Sequence, residues 1–177
     1  MKTVIFITGS KSSYPFFEAA KKKGYQTLLF DLDPNAYCKK ISDFFFAISA
    51  DDKKQIHYEI NKLKDSCNYI GVICYSSSLE ALITASYLMQ QLNLNGYSES
   101  SLNITYDKNE LYEIMDSNNI NTPERYDLNN GPENISFPCV IKCTDGIGSA
   151  GTKIIHSLQE LQNYLECFNG DTSNLIC

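Results

Sequence analysis

A chain of 177 residues suits one domain, or one and a fraction, and 43% hydrophobic residues can fill an ordinary globular core. Fifteen basic against 21 acidic residues leave a formal charge of −6, which argues against a nucleic-acid or anionic-membrane surface and leaves room only for a local basic cleft. The seven cysteines are irregularly spaced with no Cys-x-x-Cys, so neither a disulfide framework nor a zinc knuckle is supported, and reduced thiols in a cytoplasmic protein are the economical reading.

The apolar run after Lys2 is too short for a signal segment, and no run approaches membrane-spanning length. Residues 3–8 instead predict a strand buried on both faces. A helix over 14–23 follows, with Pro15 in its first turn, Lys21, Lys22 and Lys23 in its last, and Gly24 closing it. Further strands are expected at Gln26 to Asp31, Phe44 to Ile48 and Tyr69 to Tyr75. Helices fall at 52–65, from Ile56, Ile60 and Leu63, and at 79–92, capped from the serines 76–78. This alternation predicts an α/β fold with a doubly wound parallel sheet, whose ligands sit beyond the carboxyl ends of the strands.

The pattern changes near residue 96, where Gly96-Tyr-Ser-Glu-Ser-Ser-Leu reads as a polar connector. A helix from Asp107 to Ser117 follows, with Asp107 and Glu110 spaced as a capping pair. A short strand from Glu124 to Leu128 and a turn at Asn129-Asn-Gly-Pro132 come next. The strand Phe137 to Cys143, a loop with Gly146, Gly148 and Gly151, and a second strand to His156 form a hairpin. Ser157-x-x-Glu160 is a capping box opening a last helix, and the final residues read as a strand.

Three features of this second part carry chemistry. Backbone amides of a glycine-rich loop can close over phosphates because no Cβ blocks their approach, although the same loop also fits a plain hairpin turn. It is neither a P-loop nor a dinucleotide fingerprint. Lys142 sits mid-strand between Ile141 and Cys143, where a merely solvated lysine is out of place. Lys108 lies in a first helical turn, where its charge opposes the dipole unless an anion joins it; by position alone it reads as a surface lysine. Asp145 and Ser149 are turn formers or phosphate neighbours, Lys153 a solvated lysine, and Cys139 and Cys143 small core residues on one strand face.

The ordered series Asp107-Lys108, Asn119-Ile-Asn-Thr-Pro123, Phe137-Pro-Cys-Val-Ile-Lys142 and Asp145-Gly-Ile-Gly-Ser-Ala-Gly151 resembles the ATP-grasp superfamily. It is most similar to the carboxylate–amine ligases related to biotin carboxylase and the carbamoyl-phosphate synthetase large chain. Upstream, Asp31-Leu-Asp33-Pro34-x-Ala36, Ser42-Asp43, Glu80 and Leu92-Asn-Leu-Asn-Gly96 are similar to that branch's first domain. The resemblance implies a pre-ATP-grasp Rossmann-like domain over 1–104. Over 105–177 it implies a linker helix and the first α+β grasp subdomain, incomplete. ATP and Mg2+ would be the cofactors, and a small carboxylate and an amine the substrates, joined through an acyl phosphate.

Carried over residue by residue, Lys108 would approach the nucleotide phosphates, Lys142 would bridge phosphate and adenine, and Gly146, Gly148, Ser149 and Gly151 would belong to a lid over the phosphates. The family's adenine-hinge acid and magnesium ligands lie past residue 177, so the resemblance implies a portion of a ligase that is inactive alone and holds no catalytic or metal residue. The strand at its end would leave an edge for a homodimer or a completing partner chain. Two alternatives stand beside this. Asp31 follows Gly9 at the spacing of a ribose-binding acid in an NAD(P)-dependent oxidoreductase, but Thr8-Gly-Ser-Lys-Ser-Ser13 has one glycine where the fingerprint has three. A non-catalytic ATP-grasp-derived binding module would keep the fold without the chemistry.

Overall fold

The opening apolar run forms β1 (Lys2–Ile7), and its side chains alternate between two cores. Val4 and Phe6 pack with Phe17, Ala20, Leu29, Ala36 and Cys38 on one face, while Ile5 and Ile7 pack with Leu28, Phe30, Ile56, Ile60, Ala85 and Leu88 on the other. A strand buried and apolar on both faces from Val4 to Ile7 therefore needs helices on both sides. The computed structural model describes residues 1–126, 128, 135–145, 149, 151–168 and 175–177, and these gather into two units, Met1–Leu102 and Asn103–Cys177.

In the first unit, β1 pairs in parallel with β2 (Gln26–Phe30) on one side and β4 (Asn68–Cys74) on the other, and β2 pairs with β3 (Phe44–Phe46). The order β3-β2-β1-β4 reverses direction between β1 and β4, which makes their carboxyl ends the switch point of the sheet. Helix α1 (Tyr14–Lys22) is anchored by the stacked pair Phe6–Phe17, with ring centres 3.7 Å apart. Asp52 caps α2 (Lys53–Lys62) by accepting from the Gln55 amide at 3.0 Å, and Ser78 caps α3 (Leu79–Gln91) through the Ala81 amide at 3.3 Å.

Two local expectations differ from what forms. A 3-10 helix, Tyr37–Ile41, precedes β3, and β3 itself stops at Phe46 because the Ile48 amide turns back to donate to the Phe46 carbonyl. The connector after Gly96 is largely helical: α4 (Glu99–Tyr106) starts where Ser98 Oγ accepts from the Ser101 amide at 3.1 Å. Serine-rich composition looked like linker, but one of those serines is an N-cap.

The second unit is α+β. Helix α5 (Lys108–Ser117) precedes an antiparallel sheet of order β6-β5-β7, built from β5 (Cys139–Cys143), β6 (Lys153–Ile155) and β7 (Leu175–Ile176). Cys139 and Ile141 of β5 face a core shared with Ile155, Leu175, Cys177 and Leu161 of α6 (Leu158–Cys167). Ser157 caps α6 as expected, accepting from the Glu160 amide, but the Glu160 carboxylate reaches the His156 amide, one residue before the cap. The strand expected at Glu124–Leu128 does not form as far as Tyr126; the Tyr126 amide makes one bond, to the Cys177 carbonyl at 2.9 Å. The turn expected at 129–132 lies outside the described residues.

Asp43, just before β3, fixes that strand to the start of β2. Its carboxylate accepts from the Thr27 amide at 2.7 Å, from the Thr27 hydroxyl and from Lys21. Burial pushes this carboxyl up, but the hydrogen bonds from Lys21 and Thr27 outweigh it and hold it below the usual carboxylate range. The stabilisation is thus complete above the unfolded-chain value of about 3.9 and is lost as pH falls through the lower folded value. Asp43→Asn is expected to lower the urea midpoint at pH 7, with the gap to wild type closing only as pH falls below about 4; a constant gap down to pH 2 would contradict this assignment.

Candidate functional site

Helix α5 begins at Asp107, whose carboxylate accepts from the Asn109 amide at 2.8 Å and the Glu110 amide at 3.2 Å. This cap sets the direction of the first turn and with it the Lys108 side chain. Lys108 is half-buried, and both its backbone amide (3.1 Å) and its Nζ (2.9 Å) donate to the Thr144 carbonyl at the end of β5. It is therefore more than a surface lysine on a tolerant helix end. It ties the helix start to the base of the glycine loop.

Lys142 stands on the central strand of its sheet, on the face away from the Cys139–Ile141 core. Its Nζ donates to the Tyr112 hydroxyl at 3.0 Å. Two lysines thus link α5 and β5 in opposite senses, helix to strand through Lys108–Thr144 and strand to helix through Lys142–Tyr112. The spacing fits both elements, since four helical residues rise about 6 Å and two strand residues about 6.6 Å.

A hollow of about 510 Å³ opens beside this link, lined by Tyr112, Pro123, Arg125, Val140, Lys142 and Ile176 among others. Val140 is 45% exposed and Ile154, its cross-strand partner, 56%, so Lys142 emerges from an uncovered apolar sheet face. The Arg125 guanidinium lies 5.2 Å from the Tyr112 ring centre and pairs with Asp116. A hydrogen bond from Thr122, then the one from Arg125, outweigh desolvation and hold the Asp116 carboxyl below its ordinary range. The same hollow is walled by Cys139 and Cys177, whose sulfurs are 3.1 Å apart; burial, then the contact with Cys139, pushes the Cys177 thiol up to about 12.

Of the glycine loop, Gly146 and Gly148 lie outside the described residues. Ser149 is exposed at φ 63°, with its carbonyl accepting from the Thr152 amide, and Gly151 follows at φ 68°. A Cβ on Gly151 would stand 3.0 Å from the Cys143 sulfur, so glycine suits the left-handed conformation there and avoids pressing on that side chain. The Tyr164 hydroxyl of α6 donates to the Gly151 carbonyl at 3.2 Å, fixing the descending limb of the loop.

Tyr112 and Arg125 were not anticipated from sequence. Tyr112 was findable, four residues after Lys108 and hence on the same helix face. Arg125 was not, since its place depends on how the chain runs after Pro123.

The first unit has its own concavity, about 600 Å³, at the carboxyl ends of β1 and β4, lined by Thr8, Ser10, Ser12, Cys74, Tyr75, Ser76 and Ser77. Thr8 is held at φ 70°, a strained conformation for a β-branched residue. Asp31 is occupied structurally: its carboxylate accepts from the Gly9 amide at 2.7 Å and from the Asp33 amide at 2.9 Å. The loop amide that a dinucleotide would need is thus already bonded, which weighs against the oxidoreductase alternative. Among the described residues no group of three or more His, Cys, Asp or Glu could hold a metal ion, and no helix is long and apolar enough to cross a membrane.

No family profile and no curated protein matches the sequence. Solved structures do. An L-amino acid ligase from Bacillus licheniformis superposes with TM-score 0.69 at 17% identity, over 99% of this chain and 43% of its own. N5-carboxyaminoimidazole ribonucleotide synthetase from Thermotoga maritima gives 0.68 at 22% identity, over 99% and 45%. The biotin carboxylase domain of the Hydrogenobacter thermophilus 2-oxoglutarate carboxylase, solved with MgADP, ADP and bicarbonate, gives 0.74 at 17%, over 98% and 43%. The chain spans less than half the length of each of these proteins.

Removing the Asp107 cap leaves two helix amides unpaired. Asp107→Ala should cost about 1 kcal/mol while Asp107→Asn, which keeps the acceptor, should cost little. Urea unfolding followed by circular dichroism checks this, and equal losses in the two variants would count against the capping role.

Proposed function

We propose that this chain, which has the fold of the N-terminal portion of ATP-grasp ligases, holds the lysine-bearing half of the ATP site of a carboxylate–amine ligase. The observation that carries the reading is Lys142. It is a half-buried cation on a central strand, with its ammonium at the rim of a largely apolar hollow and a second lysine joined to the same strand two residues on. An apolar wall with a few convergent polar groups suits a nucleobase, and flanking ammonium groups suit its phosphates.

In this role Lys142 links the phosphates to the nucleobase side, Lys108 supplies charge where the glycine loop begins, and Gly146, Gly148, Ser149 and Gly151 belong to the cover. The ligase would transfer the γ-phosphoryl group of ATP to a carboxylate oxygen with ADP leaving. An amine would then add at the acyl carbon and expel phosphate. The chain's own lysines would neutralise charge and hold the nucleotide in line. Magnesium, bound with ATP, would supply further charge neutralisation on the phosphates, and the resemblance puts its carboxylate ligands in the second half of the grasp. The carboxylate, an amino acid or similar small acid, would be selected at the hydroxyl-lined hollow of the first unit, which lies where open α/β sheets bind ligands. Free thiols suit a cytoplasmic setting, and a second copy or a partner chain would complete the fold.

Titration with a fluorescent ATP analogue and Mg2+ tests the reading. Wild type should bind saturably, and Lys108→Met and Lys142→Met should each weaken binding about tenfold or more, as loss of a charged contact implies. Unchanged affinity in the double variant would overturn the site, and tighter binding of NADH than of ATP would overturn the class.

A further inference from the structure

We infer that Tyr112 is a positioning residue for Lys142. Its phenol holds the ammonium at the rim of the hollow before any ligand arrives, and Arg125 braces the ring. This rests on the nucleotide reading for its purpose, though the arrangement is visible without it.

A lysine side chain on a strand has four rotatable bonds, and beside an open hollow it would sample many rotamers. Here the hydroxyl of Tyr112 accepts from Nζ at 3.0 Å, with the ammonium beyond the hydroxyl edge of the ring, 5.4 Å from its centre. The ring is itself restrained. Arg125 lies against it at 5.2 Å, and that guanidinium is fixed by Asp116, whose other oxygen accepts from the Thr122 hydroxyl. The series Thr122, Asp116, Arg125, Tyr112, Lys142 runs from the end of α5 back across its face to β5. All of its members lie in one unit.

The acceptor is also well chosen chemically. A carboxylate in place of the phenol would neutralise the lysine and repel a phosphate, whereas a neutral hydroxyl holds the ammonium and keeps its full charge available. An arriving phosphate oxygen meets a cation already extended, so less rotamer freedom is lost on binding.

Two measurements on the 177-residue chain test this. The first needs no nucleotide. Trace acetylation with limiting acetic anhydride, read by mass spectrometry, gives the reactivity of Lys142 relative to the exposed Lys153. Tyr112→Phe, which removes only the hydroxyl, should raise that ratio about threefold or more, and Arg125→Gln should raise it less, as release of a hydrogen-bonded amine predicts. An unchanged ratio in a folded Tyr112→Phe chain overturns the inference. The second is a double-mutant cycle on binding of the ATP analogue. Tyr112→Phe should weaken binding about fivefold in the wild-type background and have no effect in Lys142→Met. Equal losses in both backgrounds would show that Tyr112 acts independently of Lys142 and overturn the inference. Should wild type bind no nucleotide, the ATP reading falls while the acetylation ratio still decides the role of Tyr112.

Discussion

In the second unit the placement of α5 depends on its double lysine link to β5. Helix rise and strand rise differ per residue, yet four steps of one nearly equal two steps of the other, so two contacts can be made in register. Lys108 and Lys142 use that match from opposite sides. The helix start is therefore held in register with the end of the strand, and Val140 and Ile154 on the lysine-bearing face stay exposed. Asp107 contributes by fixing the first turn, so a cap that looks purely local also sets where a cation stands.

The first unit is organised by carboxylates at strand ends. Asp31 ties the exit of β2 to Gly9 after β1, and Asp43 ties the approach to β3 to Thr27 at the start of β2. Between these pins the strands are apolar and unspecific, able to tolerate many packings of similar volume. Register comes from the pins, and the two-faced core supplies most of the stability.

Much of this was legible in the residues. The apolar run of β1, the caps at Ser78, Asp107 and Ser157, and the hairpin around the glycine loop follow from local chemistry that tertiary context did not override. Lys142 was legible as out of place, but not its partner: Tyr112 becomes a neighbour only once α5 is set antiparallel to β5. The helix α4 was hidden because a run of serines reads as linker whether or not one of them accepts from an amide three residues on. The strand expected from Glu124 is absent over 124–126 for a different reason, since a strand needs a partner of some length and composition reports only on the strand itself.

The Gly9 position has a consequence for how this scaffold could change. A Cβ there would come within 2.7 Å of a Leu29 methyl and 3.3 Å of Cys38, while its amide is committed to Asp31. Acquiring a dinucleotide loop would mean freeing that amide, which releases Asp31, which in turn loosens the turn carried by the Asp33 amide. Each step alone loses stability before any ligand contact is gained. The loop after β1 is therefore locked to its present shape by Asp31, Leu29 and Cys38, and new specificity is more accessible through exposed side chains that line the hollow, such as Ser12.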